Sequence, residues 1–125
     1  MLRIGTVVMR VADLPRAVDF WTRALRYVPE EMAAEGDFAI LGPADGVGAR
    51  LALDVTSSPA PEQPSVHLDL YAGDALDQTR EVDRLVSLGA TVVDWAWYPA
   101  DPDFVVLADP EGNRFCVIDT SRGTP

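Results

Sequence analysis

The side chains best suited to chemistry are His67 and Cys116, the only histidine and the only cysteine of the chain. Histidine ordinarily titrates near neutrality, so His67 is a natural general base, and Asp69, two residues later, is a carboxylate that could orient it. The alternative is a strand histidine satisfied by one hydrogen bond. Cys116 has two interpretations: a functional one, as a metal ligand or a nucleophile, and a structural one, as a small buried core residue. The structural interpretation is favoured because free cysteines are commonly buried and inert.

Composition excludes several classes of function. All ten cationic residues are arginines, so no lysine is present to form a Schiff base. The net charge of −10 argues against binding to nucleic acid or to an anionic membrane surface. One cysteine allows no internal disulfide, and no membrane-spanning or signal segment is recognised, so we expect a cytoplasmic protein. No dinucleotide fingerprint, phosphate-binding loop, Cys-x-x-Cys pair or nucleophile elbow occurs.

The chain repeats one pattern of residues. The matched segments are 6–13 with 67–74, 38–41 with 104–107, and 50–53 with 114–117. A repeat of about sixty residues is too long for most stacked repeats and too short for two ordinary domains. We therefore predict one domain over 1–125, made of a first module at about 1–56, a proline-rich linker at 57–64 and a second module at about 65–120.

Hydrophobic periodicity predicts the elements of each module. In the first module we expect strands at 4–11, 38–41 and 50–55 and a helix at 14–27 that Pro29 stops. In the second we expect strands at 65–71, 91–97, 104–108 and 114–118 and a helix at 76–88. Each module thus reads as a strand, a helix and two or three strands, which predicts the α+β class.

This doubled pattern resembles the vicinal oxygen chelate superfamily, which includes glyoxalase I, bleomycin-resistance proteins and extradiol dioxygenases. The matching segments are 11–14, 20–21 and 24–25 in the first module and 67–70, 88–90 and 109–115 in the second. The Asp-Pro-x-Gly-Asn turn at 109–113 is the most specific of them. The resemblance implies two tandem βαβββ modules whose curved mixed sheets surround a cup.

The resemblance also implies where a metal would bind: at one position on the first strand and one on the last strand of each module. Carried over by motif, these positions are Thr6, His67, Ala52 and Cys116. Only His67 is a usual ligand there, and His67 with Cys116 makes two ligands where a catalytic zinc takes three. We therefore expect no cofactor. If a divalent zinc, nickel, manganese or iron ion binds, we expect His67 and Cys116 to hold it, and a rearranged site that adds Asp69 stays open.

Other side chains on the expected cup face would contact a bound molecule. Side chains alternate in direction along a strand, so further residues are predicted on the same face as Thr6, Ala52 and Cys116. The added residues are Arg10, Asp54, Asp69 and Tyr71. An ion pair between Arg10 and Asp69 is the alternative role for those two residues. Trp95 and Trp97 are expected on one strand face, either as a stacking wall for a planar ligand or as filling between helix and sheet.

The resulting hypothesis is a protein that binds a small organic molecule in the cup between its modules, without the usual metal. The resemblance further implies a homodimer. One alternative is a metal-dependent lyase, isomerase or dioxygenase with an irregular ligand set. Another is a metal-free acid–base enzyme that uses His67. The substitution His67→Ala distinguishes these, because an enzyme should lose turnover and keep binding, whereas a sequestering protein should at most lose affinity.

Overall fold

The computed structural model describes residues 1–123 and divides the chain into two compact units, Met1–Ala60 and a second that begins at Pro61. The first unit contains β1 (Thr6–Val11), α1 (Leu14–Leu25), β2 (Tyr27–Met32), β3 (Phe38–Pro43) and β4 (Arg50–Val55). The second contains β5 (Leu68–Ala72), α2 (Ala75–Ser87), β6 (Thr91–Val92), β7 (Phe104–Ala108), β8 (Arg114–Asp119) and a short 3-10 helix (Thr120–Arg122). The predicted α+β class with two βαβββ modules is confirmed. That the sheets of the two modules surround a shared cup stays a prediction. That the two modules form a single domain also stays a prediction.

The two sheets have the same topology and the same register. Their strand orders are β1-β4-β3-β2 and β5-β8-β7-β6, and in each the first strand runs parallel to the last. Val8 pairs with Ala52 in the first sheet, and the equivalent pair in the second is Asp69 with Cys116. The repeat found in the sequence is therefore a structural repeat, and it places equivalent residues at equivalent points of two sheets.

Both helices begin at an aspartate that the repeat had matched. The Asp13 carboxylate accepts a hydrogen bond from Arg16 N at 3.1 Å, and the Asp74 carboxylate accepts one from Asp77 N at 2.8 Å. Such caps satisfy amide groups that lack a partner in the first turn of a helix. Each helix then packs an apolar stripe on its own sheet, with Trp21 of α1 fully buried and Leu85 of α2 nearly so.

Two predictions for the first module were wrong in detail. Helix α1 ends at Leu25, and not at Tyr27, because Arg26 adopts a left-handed backbone conformation with φ 57°. Strand β2 was not predicted. It lies at the edge of the sheet, and its pairing with β3 is irregular at Pro29, which is where a proline is tolerated in a strand.

Two strands of the second module depart most from their predicted bounds. Strand β5 begins at Leu68, so His67 lies just before it. The predicted strand at 91–97 ends at Val92, and Trp95 and Trp97 lie in the loop that follows. The strand ends early because the Tyr98 hydroxyl, and not a backbone carbonyl, accepts the hydrogen bond of Val106 N at 2.7 Å. The two tryptophans therefore do not share a strand face.

Candidate functional site

Three polar side chains predicted from the sequence converge in the second module. Asp69 lies opposite Cys116 on neighbouring strands, and His67 precedes Asp69 by two residues. His67 Nε2 lies 3.0 Å from Asp69 Oδ1. One ligand-type atom from each of His67, Asp69 and Cys116 lies within 4.8 Å of the other two. We call these three residues the polar triad.

Cys116 is held as a thiol in this arrangement. Its pKa is raised to about 12, chiefly by burial and then by the neighbouring Asp69 carboxylate, through its negative charge and by accepting a hydrogen bond from the thiol. A protonated, buried thiol is a poor nucleophile. The geometry thus agrees with the small buried core residue that the sequence favoured over a nucleophile.

The polar triad forms part of the wall of a cavity of about 410 Å³. This volume lies within the range typical of small-molecule pockets, which are mostly apolar with a few polar groups. The wall combines aromatic and aliphatic side chains with the polar triad and a few further polar groups. It consists of Gln63, Pro64, His67, Asp69, Trp95, Asp103, Phe104, Val106, Arg114, Phe115, Cys116 and Ile118.

Strands β7 and β8 position half of this wall. Val106 pairs with Cys116 and Phe104 with Ile118, so these four side chains occupy one face of two adjacent strands. The turn between the strands is fixed by Asp109, which is 3% exposed and accepts hydrogen bonds from the amides of residues 111 and 113. Gly112 has φ 88° in this turn, a conformation that favours glycine.

The loop after β6 packs against that face. Val93, Trp95, Tyr98 and Phe104 contact a buried cluster formed by Val106, Cys116 and Ile118. Trp95 and Trp97 make an edge contact with ring centres 4.7 Å apart. Trp95 lines the cavity, whereas Trp97 is 53% exposed and is not among the lining residues. Of the two roles considered for the tryptophans, a ligand wall fits the position of Trp95.

The candidates in the first module lie on β1 and β4. Thr6 and Arg10 are exposed on β1, and Ala52 is buried on β4. Arg10 Nε lies 3.6 Å from Asp54 Oδ2, directly across the strand pair. The pairing of Arg10 with Asp69, which would join the two units, stays a prediction, and so does ligand contact by these four residues.

Tyr71 does not take part in the cavity. Its side chain is 64% exposed on β5, and it is not among the lining residues. Other wall residues were not predicted from the sequence. Phe104 and Val106 could have been identified from strand alternation, because they pair with Ile118 and Cys116 on the predicted face. Arg114 could have been identified in the same way, because it lies two residues before Cys116 on β8. Gln63 and Asp103 carry no such signal.

The polar triad has the composition of a three-ligand metal site. It supplies a nitrogen, an oxygen and a sulfur atom, and catalytic zinc is usually held by three protein ligands with a fourth position left open. The residues therefore fit a zinc-like ion, which would polarise an oxygen atom of a bound molecule. The expectation that the protein needs no metal stays a prediction.

The family of the chain follows from its sequence. A family model described as a glyoxalase-like domain matches residues 6–118. The chain belongs to the glyoxalase-like domain family. A search of curated proteins found no match. No helix among residues 1–123 is long and apolar enough to cross a membrane.

Solved structures share the fold at low sequence identity. A protein described as a possible glyoxalase from Bacillus cereus is 17% identical, with a TM-score of 0.72 over 94% of this chain and 99% of that one. A lactoylglutathione lyase from Agrobacterium tumefaciens is 19% identical, with a TM-score of 0.67 over 98% and 97%. A fosfomycin resistance protein from Listeria monocytogenes, solved with Mn(II) and a dihydroxypropylphosphonic acid, is 9% identical, with a TM-score of 0.71 over 94% and 90%. These similarities show the fold.

Proposed function

We propose that this glyoxalase-like protein binds a small organic molecule in the cavity of its second module. The observation that carries the proposal is the composition of the cavity wall, in which aromatic rings face the same space as the polar triad. Such a wall can hold a flat apolar group through its rings and fix the orientation of that group through a few hydrogen bonds.

The charge of the site favours a particular class of ligand. Two carboxylates, Asp69 and Asp103, line the cavity against one guanidinium, Arg114, and the chain carries a net charge of −10. A cationic group would be attracted by this potential and could also rest against the faces of Trp95 and Phe104. We therefore expect an aromatic or otherwise planar molecule that bears an ammonium group or another hydrogen-bond donor.

The relatives are consistent with a binding role of this kind. One solved neighbour is a fosfomycin resistance protein and another a lactoylglutathione lyase, so related folds handle small organic molecules. Sequestration requires only shape and complementary charge, which the cavity supplies. A cytoplasmic location and a homodimer form part of the same proposal.

Acid–base catalysis is the second candidate, and one distance favours it. His67 Nε2 lies 3.0 Å from the Asp69 carboxylate, a contact that can orient a histidine for proton transfer. Because Asp69 engages Nε2, the other ring nitrogen would accept the proton of a substrate. The reaction class would then be proton abstraction, and the wall would hold the substrate in place.

Binding is tested by quenching of tryptophan fluorescence in chelator-treated protein, across a library of small aromatic amines. We expect saturable quenching that is greatly reduced in Trp95→Phe and retained in Trp97→Phe. Benzyltrimethylammonium and its neutral isostere neopentylbenzene form a matched pair that tests the charge preference. Equal quenching in both tryptophan variants, or stronger binding of the neutral compound, would contradict the proposal.

The substitution His67→Ala distinguishes the two candidate functions. A binding protein should lose affinity only, whereas an enzyme should bind its substrate and stop turning it over. Exchange of an acidic proton of a bound compound for deuterium, followed by NMR, detects proton abstraction even without a net reaction. Exchange that is unchanged in His67→Ala would rule out His67 as the base.

A further inference from the structure

We propose that Arg114 binds a carboxylate of the molecule that occupies the cavity of the second module. That molecule is then a planar zwitterion, with an anionic group at one end and a cationic group at the other. The inference rests on the proposed function and deepens it, because that function specifies a planar molecule with a cationic or hydrogen-bond-donating group and leaves its other end unspecified.

Arg114 carries an unsatisfied hydrogen-bond donor at the cavity wall. Its Nε atom is buried and has no acceptor, and no other buried side-chain nitrogen or oxygen is in this state among the at least partly buried residues of 1–123. A buried donor without an acceptor costs free energy, and the cost is larger for a charged group. Such a group therefore points to an acceptor supplied from outside the chain.

The charge of Arg114 is also without a counter-ion. Its Nη1 atom donates to the carbonyl of Gly112 at 2.9 Å, and no carboxylate among residues 1–123 forms an ion pair with the guanidinium. Arg84 of α2 is also partly buried, but it pairs with Glu81 at 2.6 Å. A partly buried charge is stabilised by an opposite charge, which a ligand carboxylate would provide at Arg114.

The contact with Gly112 leaves the carboxylate-binding edge of the guanidinium open. Nε and Nη2 lie on one edge of an arginine side chain, and two nitrogens of such a fork bind both oxygens of a planar carboxylate. Binding requires a turn of the side chain that brings this edge to the cavity surface. A dianionic phosphate suits the wall less well, because Asp69 and Asp103 repel a second negative charge.

The charged groups of the wall are separated along the strands. Arg114 begins β8, and Cys116, with Asp69 beside it, follows two residues later, about 7 Å along the strand. Asp103 precedes β7, which runs antiparallel to β8, so it lies toward the opposite end of this face, about 13 Å or more from Arg114. A rigid molecule with a carboxylate and an ammonium group on opposite sides of one ring matches this separation.

The test is isothermal titration calorimetry of the chelator-treated full chain with two probes, 4-(aminomethyl)benzoate and 4-methylbenzylamine. The probes share the ring and the ammonium group and differ only in the carboxylate. We expect the benzoate to bind about tenfold or more tightly than the amine, because hydrogen bonds between charged groups are the strong ones. This preference should disappear in Arg114→Gln, which should bind 4-methylbenzylamine at least as tightly as the wild-type protein does.

The matched control is Arg80→Gln, which removes the same charge from an exposed position of α2 that does not line the cavity. It should keep the preference of the wild-type protein. Asp109 holds the turn before β8 through its own hydrogen bonds, so Arg114→Gln should fold, which circular dichroism checks. The comparison of the two probes on the wild-type protein needs no variant.

Each outcome separates this inference from the proposed function. If the wild-type protein binds 4-methylbenzylamine and binds the benzoate no more tightly, the role of Arg114 is overturned and the proposed function stands. If neither probe binds, both are contradicted. A preference that survives in Arg114→Gln, or one that is lost equally in Arg80→Gln, would also overturn the inference.

Discussion

At equivalent points of its two sheets, the first module places Val8 opposite Ala52, and the second places Asp69 opposite Cys116. Just before them stand Thr6 in one module and His67 in the other. The backbone register is the same, yet only the second set contains the side chains of histidine, aspartate and cysteine, which commonly coordinate metals or act in acid–base chemistry. Side-chain identity on a common scaffold therefore accounts for the difference in chemistry.

The interiors of the two modules are much more alike than these faces. Leu41 on β3 and Leu107 on β7 occupy equivalent positions, and both are completely buried. The core therefore has the same structural role in both modules, and we propose a functional role for the face of the second module alone. Matched substitutions in the two modules can test both assignments.

The largest effects should come from the core, where the modules should respond equally. Leu41→Ala and Leu107→Ala should each lower the free energy of unfolding by about 2–5 kcal/mol, because each leaves a cavity in a packed interior. Urea denaturation of the two variants measures this cost. A loss below about 1 kcal/mol in either variant would show that the cores are not equivalent.

A smaller loss of stability is expected from removing a contact that only the second module has. The Gln78 side-chain amide donates to the carbonyls of Asp103 and Val117, at 3.0 and 2.9 Å, and so ties α2 to its sheet. The equivalent residue of α1 is Ala17, which is fully buried and has no such donor. Gln78→Ala should cost about 1–3 kcal/mol, because it removes two partly buried hydrogen bonds between α2 and its sheet.

Thermal or urea denaturation measures this cost, with Arg80→Ala on the same helix as a surface control. A Gln78→Ala variant as stable as the control would show that the two contacts contribute nothing. The structural difference between α1 and α2 would then be without energetic consequence.

The smallest predicted effect concerns the helix caps, where the modules should again agree. Asp13→Ala and Asp74→Ala each remove a carboxylate that accepts a hydrogen bond from an amide of the first turn. Each should cost about 0.5–2 kcal/mol. Denaturation midpoints compare the two variants, and a clearly neutral result for one of them would break the equivalence of the helix starts.

The fold was largely predictable because segments that match in the sequence repeat also form equivalent strand pairs. Segments 38–41 and 104–107 matched in sequence, and both pair with the last strand of their module in the same register. Strand β2 was missed because its proline and charged residues give no alternating pattern. The strand ending at Trp97 was predicted too long, because the alternating tryptophans have the sequence pattern of a strand. In the structure, the Tyr98 hydroxyl takes the place of a backbone partner for Val106 N.

The site was predictable in part for the same reason. Alternation on β5 and β8 placed His67, Asp69 and Cys116 on one face, and the structure brings these three together. Trp95 reaches the cavity through the fold of a loop, for which the sequence carries no periodic signal. Asp103 lies just before β7, where side-chain direction depends on tertiary contacts.

The most direct test of the central claim, that the polar chemistry resides in the second module, compares Asp69→Asn with Asp54→Asn. Both remove a carboxylate charge from a strand next to a candidate partner, His67 in one case and Arg10 in the other. The measurement is the dissociation constant of the tightest-binding aromatic amine from the library, by fluorescence titration. We predict about tenfold or greater weakening in Asp69→Asn, since hydrogen bonds to charged groups contribute about 1.5–3 kcal/mol, and little change in Asp54→Asn. Equal weakening in both variants, or a loss confined to Asp54→Asn, would contradict the claim.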